Sequence, residues 1–315
     1  MERKKYGFTM IELLTVIGII ALLVGLLIPA LNMVNTMAKE AKQKAQITAI
    51  ELALTAFRND YGDYPPSSWD RPPVGKGDYC GAQKLAEALL GWDLLGFHPK
   101  SEWTSNGWDK TTGTNYWIYP PPPLDQSNPL HRTNLEERRG PYLELGSANA
   151  YRVGSTHGRM DGLYDGPAPL ERNTHVICDA FGVKRITLTL PNGTERFLAG
   201  TPILYYRANT LYKTIDPAIE PNFEKRLYNI YDNMPFTNAQ ILKPLNKGVQ
   251  LPEGHRLGKL QSDNPLKNYP YQNFYDYIQD PKVMTTPWPY RPDSYILISA
   301  GADGEYGTAD DITNF

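Results

Sequence analysis

Gly7-Phe8-Thr9-Met10-Ile11-Glu12-Leu13-Leu14, read as GFTMIELL, opens a run that stays apolar to Leu31, with Glu12 as its one charged residue. A run of this length matches a membrane-crossing helix, which needs roughly 20 apolar residues. It also exceeds the roughly 7–15-residue apolar core of a secretory signal. A cleavable signal ending at Ala30 and a buried soluble helix are the competing readings. The length and Glu12 speak against the first, and the basic lead-in Arg3-Lys4-Lys5 speaks against the second. A carboxylate in hydrocarbon is costly without a partner, so Glu12 is a functional candidate by its position alone.

Outward from this stretch, helical character continues past Leu31. Between Asn32 and Asp60 there is no Gly or Pro, and Ala, Lys, Glu, Gln and Leu dominate, all good helix formers. Ile47, Ile50, Leu54, Phe57 and Tyr61 recur at steps of three and four, which predicts one apolar stripe for a globular body to pack on. Gly62, Pro65 and Pro66 end the pattern, and Pro29 predicts a kink or local opening because it removes a backbone donor. Arg3, Lys4 and Lys5 before the span nearly balance Lys39, Lys42 and Lys44 after it, so charge favours a cytoplasmic amino terminus only by proximity.

The leader, the Gly7-Phe8 junction, Glu12 and the proline-containing apolar run resemble, in the same order, the amino termini of type IV prepilins and type II secretion pseudopilins. The resemblance implies a leader 1–7 and cleavage between Gly7 and Phe8 by a prepilin peptidase that methylates the new Phe8 amine. It also implies a transmembrane and polymerisation helix over 8–31, continuing as an amphipathic helix over 32–61. Glu12 would pair with the Phe8 ammonium of its own or another copy. A pair formed as one subunit joins the next lowers the cost of the lone acid and sets axial register. The alternative for Glu12 is a side chain that merely reaches the headgroup layer.

At 315 residues the chain has room for one large domain or two ordinary ones. Its net charge of −2, with no basic patch interleaved with aromatics, gives no case for nucleic acid. The 27 Pro, 26 Gly and 21 Tyr describe a body rich in loops and turns. Residues 62–175 read as an irregular insertion holding a short helix over Ala82–Leu95 and an extended proline run at Pro120–Pro123. Over 176–315 the pattern turns to strands: Val183–Leu190, a Pro191-Asn192-Gly193-Thr194 turn, Glu195–Leu198 and Ile203–Arg207 in one small antiparallel sheet, then Ser294–Ser299. Residues 208–290 read as loops with a helical piece near Asn238–Leu242. A long helix on an antiparallel sheet is an α+β solution, and it is the pilin-like fold that the resemblance implies. Cys80 and Cys178 fit no metal spacing and are either one disulfide or two separate buried thiols.

The chain closes with Ser299-Ala300-Gly301-Ala302-Asp303-Gly304-Glu305-Tyr306-Gly307-Thr308-Ala309-Asp310-Asp311-Ile312-Thr313-Asn314-Phe315. By composition this is an acidic solvated turn, and it lacks the spacing of an EF-hand. It is similar to the carboxyl-terminal calcium loop of major pseudopilins. That similarity implies Ca2+ held by Asp303, Asp310 and Asp311, with carbonyls of Ile298, Ser299 or Tyr306 completing the shell. Major pseudopilins are much shorter, and the likeness covers 1–65, roughly 176–206 and 290–315.

No G-x-S-x-G, HExxH or P-loop occurs, and the five histidines, His98, His131, His157, His175 and His255, read as single solvated loop residues. Asp161, Asp165 and Glu171 are the nearest thing to a catalytic carboxylate set, so the expectation is a non-enzyme. Three functions stand: a pseudopilus subunit that supports protein secretion across the outer membrane, a type IV pilus subunit for surface contact, and a membrane-anchored exported binding protein that does not polymerise. The first implies self-assembly, a prepilin peptidase, minor pseudopilins and an inner-membrane assembly platform as partners. It also implies a single-pass inner-membrane protein with its body periplasmic or, in a filament, extracellular.

Overall fold

The computed structural model describes residues 9–69, 79–104, 108–109, 116–119, 127–155, 161–164, 173–190, 193–238, 242, 245, 254–267 and 269–315. The chain divides into two compact units, Met1–Lys42 and Gln43–Phe315. Helix α1 (Met10–Tyr61) contributes to both and runs through Pro29. It ends where predicted: the Gly62 amide donates to the Arg58 carbonyl at 2.7 Å, and Gly62 has φ +82°, a conformation that glycine adopts without a Cβ penalty.

The second unit follows as α2 (Gly81–Leu90), β1 (Trp108–Asp109), β2 (Tyr116–Trp117), α3 (Pro129–Glu137), α4 (Leu145–Ala148), β3 (Ala150–Arg152), β4 (His175–Ile177), β5 (Lys184–Leu190), β6 (Gly193–Ala199), β7 (Leu204–Arg207), α5 (Met234–Thr237), α6 (Gln272–Ile278), β8 (Tyr295–Ser299) and β9 (Ile312–Thr313). All pairings of named strands are antiparallel: β1 with β2, β3 with β4, β5 with β6, and β7-β8-β9 in one three-stranded sheet. The result is an α+β fold of pilin-like build, a long apolar helix followed by small antiparallel sheets.

The three-stranded sheet separates two cores. Along β8 every residue is buried, which means that both faces are covered. Tyr205, Tyr295 and Leu297 pack with Ile47, Ile50 and Leu54 of α1 and with Leu85 and Leu89 of α2. Leu204, Tyr206, Ile296 and Ile298 face the other way, against Tyr228, Ile230, Phe274 and Tyr275. The loop-rich stretch 208–290 therefore supplies the cover for the face that α1 does not reach. Residues on both sides of position 175 enter both cores, for example Cys80 and Val153 beside Leu204, and Leu85 beside Leu297.

The stripe on α1 is as the periodicity predicts, with Ile47, Ile50, Leu54 and Phe57 buried. Two buried glutamines extend it. Gln46 Nε2 donates to the carbonyls of Ala148 and Cys178 at 2.9 and 3.0 Å, and Gln43 Oε1 accepts from the Ala180 amide at 2.8 Å. Polar groups buried this deeply persist because each bond satisfies a backbone group that water cannot reach.

Several expectations need correction. Helix α2 stops at Leu90 rather than reaching Leu95, because Gly91 takes φ +81° and its amide closes on the Glu87 carbonyl at 2.8 Å. The hairpin β5–β6 forms, with Leu190 opposite Gly193, while Pro191 and Asn192 lie outside the described residues. It does not share a sheet with β7. After Ala199 the chain is drawn to the 177–179 segment instead, where Asp179 and Thr201 exchange backbone and side-chain bonds and the Ile203 amide donates to Ile177. Of the helical piece expected near Asn238–Leu242, residues 239–241 lie outside the described residues, while the Leu242 amide donates to the Asn238 carbonyl at 3.2 Å and a short helix precedes it at Met234–Thr237, with Pro235 in its first turn. Pro120–Pro123 lie outside the described residues. Cys80 and Cys178 are fully buried and are not joined as a disulfide. Cys80 opens α2, whereas Cys178 bridges to Pro202, and burial pushes the Cys178 thiol up.

Candidate functional site

Two places carry the residues singled out by sequence: the start of α1 and the acidic loop between β8 and β9. Gly7 and Phe8 lie outside the described residues. Glu12 is exposed, and its partner is Thr9. The Thr9 amide and hydroxyl both donate to Glu12 Oε2, at 2.9 and 2.7 Å, and the Glu12 amide donates back to Thr9 Oγ1 at 3.3 Å. This is a capping box, in which a Thr before the first helical turn and a Glu three positions on satisfy each other's backbone donors. Sequence reasoning missed Thr9, although the Thr-x-x-Glu spacing ahead of an apolar run was its signal. Beyond Glu12 the side chains of Leu13, Leu22, Leu26 and Ile28 are more than half exposed, on a helix long and apolar enough to cross a membrane.

The acidic loop is closed by glycine geometry and anchored at both ends. Gly301 has φ +65°, and a Cβ there would collide with the Asp310 carbonyl. Asp310 organises the loop: its Oδ2 accepts from the Ala302 and Asp303 amides at 2.7 and 3.0 Å, and its Oδ1 accepts from the Thr308 hydroxyl at 2.6 Å. Asp303 Oδ1 accepts from the Glu305 amide at 2.7 Å. Burial and the neighbouring Asp310 carboxylate raise the Asp303 carboxyl above its ordinary range. Against the same burial, the Thr308 hydroxyl and the Asp303 and Ala302 amides hold Asp310 low.

Asp311 turns elsewhere. It accepts from the Gly307 amide at 2.7 Å and the Tyr277 hydroxyl at 2.8 Å, and burial pushes it up to about 7. The structure thus brings Asp303 and Asp310 into contact and gives Asp311 to Tyr277. Of the expected carbonyls, that of Tyr306 accepts from the Leu257 amide at 3.2 Å, while Ile298 and Ser299 pair with Thr313 and Ile312 across the β8–β9 ladder.

Among the described residues, no three His, Cys, Asp or Glu side chains converge into a group that could hold a metal ion. The Asp303–Asp310 pair is nevertheless what a cation would relieve, since adjacent carboxylates resist sharing full charge. The donor set therefore fits Ca2+ in part, through two carboxylates with the loop's carbonyls.

Protein groups anchor the loop and the tail beyond it. Tyr306 is fully buried and its hydroxyl donates to the Pro202 carbonyl. Asn314 Oδ1 accepts from the Leu297 amide at 2.8 Å, and its Nδ2 donates to Glu51 of α1 at 3.2 Å. Arg291 pairs with Glu51 and also donates to the Asn314 carbonyl at 2.7 Å. Phe315 stacks on Tyr290 with ring centroids 4.7 Å apart. These anchors give Asn314 and Phe315 at the end of the chain defined places against α1 and Tyr290.

His98, His175 and His255 are not the solvated loop residues expected. His98 and His255 are buried. His175 Nδ1 donates to the Trp92 carbonyl at 2.8 Å, and burial lowers its pKa to about 4. His157, Asp165 and Glu171 lie outside the described residues, and Asp161 faces Arg152 at 3.9 Å.

Residues 3–28 match the family described as the prokaryotic N-terminal methylation motif. Among curated proteins, the chain is similar to the type II secretion system core protein G of Dickeya chrysanthemi, 39% identical over 67 residues, which is 21% of this chain and 42% of that protein. The match thus spans less than half the length of that relative. No solved structure matches the chain. With the apolar helix, its capped Glu12 and the antiparallel sheets in view, the chain carries the prokaryotic N-terminal methylation motif on a fold of pilin-like build, and over 67 residues it is similar to type II secretion system core protein G.

Proposed function

We propose that this chain is a structural subunit of a type II secretion pseudopilus, polymerising through the amino-terminal part of α1 to support protein export across the outer membrane. The observation that carries this reading is the single carboxylate at the head of an exposed apolar helix, on a chain with the methylation motif. A prepilin peptidase cuts between Gly7 and Phe8 and methylates the new amine. The subunit then waits in the inner membrane with its amino terminus cytoplasmic and its body periplasmic. Both Thr9 bonds fall on Glu12 Oε2, so Oε1 keeps lone pairs for the Phe8 ammonium of a neighbouring copy. Capping and assembly can therefore use one carboxylate together, and the pairing fixes the register of each added subunit. Minor pseudopilins and the inner-membrane platform are the remaining partners of this reading.

Mass spectrometry of the protein from native membranes tests it. A mature chain beginning with N-methyl-Phe8 is expected, and an intact Met1 overturns the assignment. Glu12→Leu should leave the subunit in the membrane fraction and abolish its recovery in sheared filaments.

Asp303 and Asp310, with loop carbonyls, are the proposed Ca2+ ligands. An ion bound only by the folded loop would add its binding energy to stability. Chelation should therefore lower the melting temperature of the wild type and leave Asp310→Ala unmoved; a chelator-insensitive wild type removes the metal from this reading.

A further inference from the structure

The second unit contains a cleft of about 1120 Å3 that the filament reading does not use. It lies between the segment that follows α1, the end of β7, and the loop carrying residues 222–232. Its size reaches the upper end of the range for small-molecule sites, about 300–1,000 Å3. Two kinds of group face it. Trp69, Phe223 and Tyr231 supply ring surface: Trp69 and Tyr231 lie nearly parallel, at 12° with centroids 6.4 Å apart, and Phe223 meets Tyr231 edge-on at 5.0 Å. Asn209, Asn222 and Asn229 supply amides.

The asparagines are set in a common way. Each Oδ1 accepts a backbone amide two residues further on, from Leu211 at 3.3 Å, Glu224 at 3.0 Å and Tyr231 at 3.1 Å. An amide oxygen fixed in this way leaves the side-chain NH2 as a donor of defined place. The loop behind them is tied down by a buried arginine. Arg226 is buried, donates to the Glu220 and Pro221 carbonyls at 2.7 and 3.3 Å, and lies over the Phe223 and Tyr275 rings at 4.4 and 4.5 Å. A wall held in place before binding loses little freedom when a ligand arrives.

We propose that this cleft binds a neutral pyranose-containing glycan. A pyranose has an apolar C–H face, which suits flat aromatic rings, and a girdle of hydroxyls, which suits amide donors and the Glu224 carboxylate on the same wall. An anionic ligand fits less well, because Arg207 is committed to an ion pair with Asp63, the Glu224 and Asp232 carboxylates line the same cleft, and Arg226, whose Nη1 has no hydrogen-bond partner among the described residues, is buried. A lipid fits less well, because amides and carboxylates share the wall with the rings. The proposal goes beyond the pseudopilus reading and does not rest on it.

Isothermal titration of the full chain in detergent with cellohexaose, mannohexaose and chitohexaose, and with a heparin-derived hexasaccharide as the acidic probe, tests it. Binding of at least one neutral hexaose is expected. Trp69→Ala should weaken it at least about tenfold, as loss of an aromatic anchor does. Asn222→Ala should weaken it about three- to tenfold while the chain still melts cooperatively, which separates lost contacts from lost folding. Silence with every neutral probe, binding of the heparin fragment alone, or binding indifferent to Trp69→Ala and Asn222→Ala would each overturn the proposal. None of those outcomes touches the Phe8 and Glu12 tests of filament assembly.

Discussion

The two parts of helix α1 share a conformation and differ in everything else. From Met10 to Lys42 the large apolar side chains are exposed, with Leu22 and Leu26 at 66% and 68%. From Gln43 to Tyr61 one face is buried, with Ile50 and Leu54 at 0%. Backbone propensity makes both parts helical; the placing of polar residues decides what each part packs on. A segment apolar all round suits lipid or the same segment of other copies, whereas a striped one suits a folded body.

The sharpest way to break this contrast is truncation on each side of it. Leu54→Ala should lower stability by about 2–5 kcal/mol through lost burial and a residual cavity. Leu22→Ala should stay within about 0.5 kcal/mol, as exposed positions do. Denaturant titration of the full chain in detergent distinguishes them, and equal losses would dissolve the distinction.

Acid should act on the body through His175. His175 is held neutral with a pKa near 4, whereas an unfolded histidine titrates near 6.5. The unfolded chain then binds the extra proton as pH falls from about 6.5 to about 4, so stability declines over that window, by about 3 kcal/mol, and is level below it. His175→Gln should remove that part of the slope, as read from the difference between the two pH–stability curves.

A local effect belongs to the membrane side. Thr9→Ala removes the capping box and should cost about 1 kcal/mol of local helix stability. Faster amide exchange at Ile11 and Glu12 in micelles would report it, with the melting of the body unchanged.

What was legible in the sequence was local. The extent of α1, its stop at Gly62, the β5–β6 hairpin and the strand Tyr295–Ser299 follow from periodicity and turn chemistry within a few residues. What was not legible depends on partners far along the chain. Nothing near Ile203 announces that Asp179 and Thr201 divert the chain away from the hairpin, and nothing near His175 announces the Trp92 carbonyl. The acidic loop was half legible: its glycines and aspartates were visible, but only the fold assigns Asp310 to Asp303 and Asp311 to Tyr277. Thr9 is the exception, a local signal overlooked beside the more conspicuous Glu12.

The clamp on Glu51 bears on how the protein is made. Its two partners, Arg291 and Asn314, lie 240 and 263 positions downstream. The face Ile47–Phe57 therefore emerges from the ribosome long before the residues that seal it. Closing so long a loop is slow relative to local contacts, and an open apolar face in that interval invites wrong associations. Export of this chain thus calls for a holding factor, or for threading through the translocon in an unfolded state, until the β8–β9 segment has arrived.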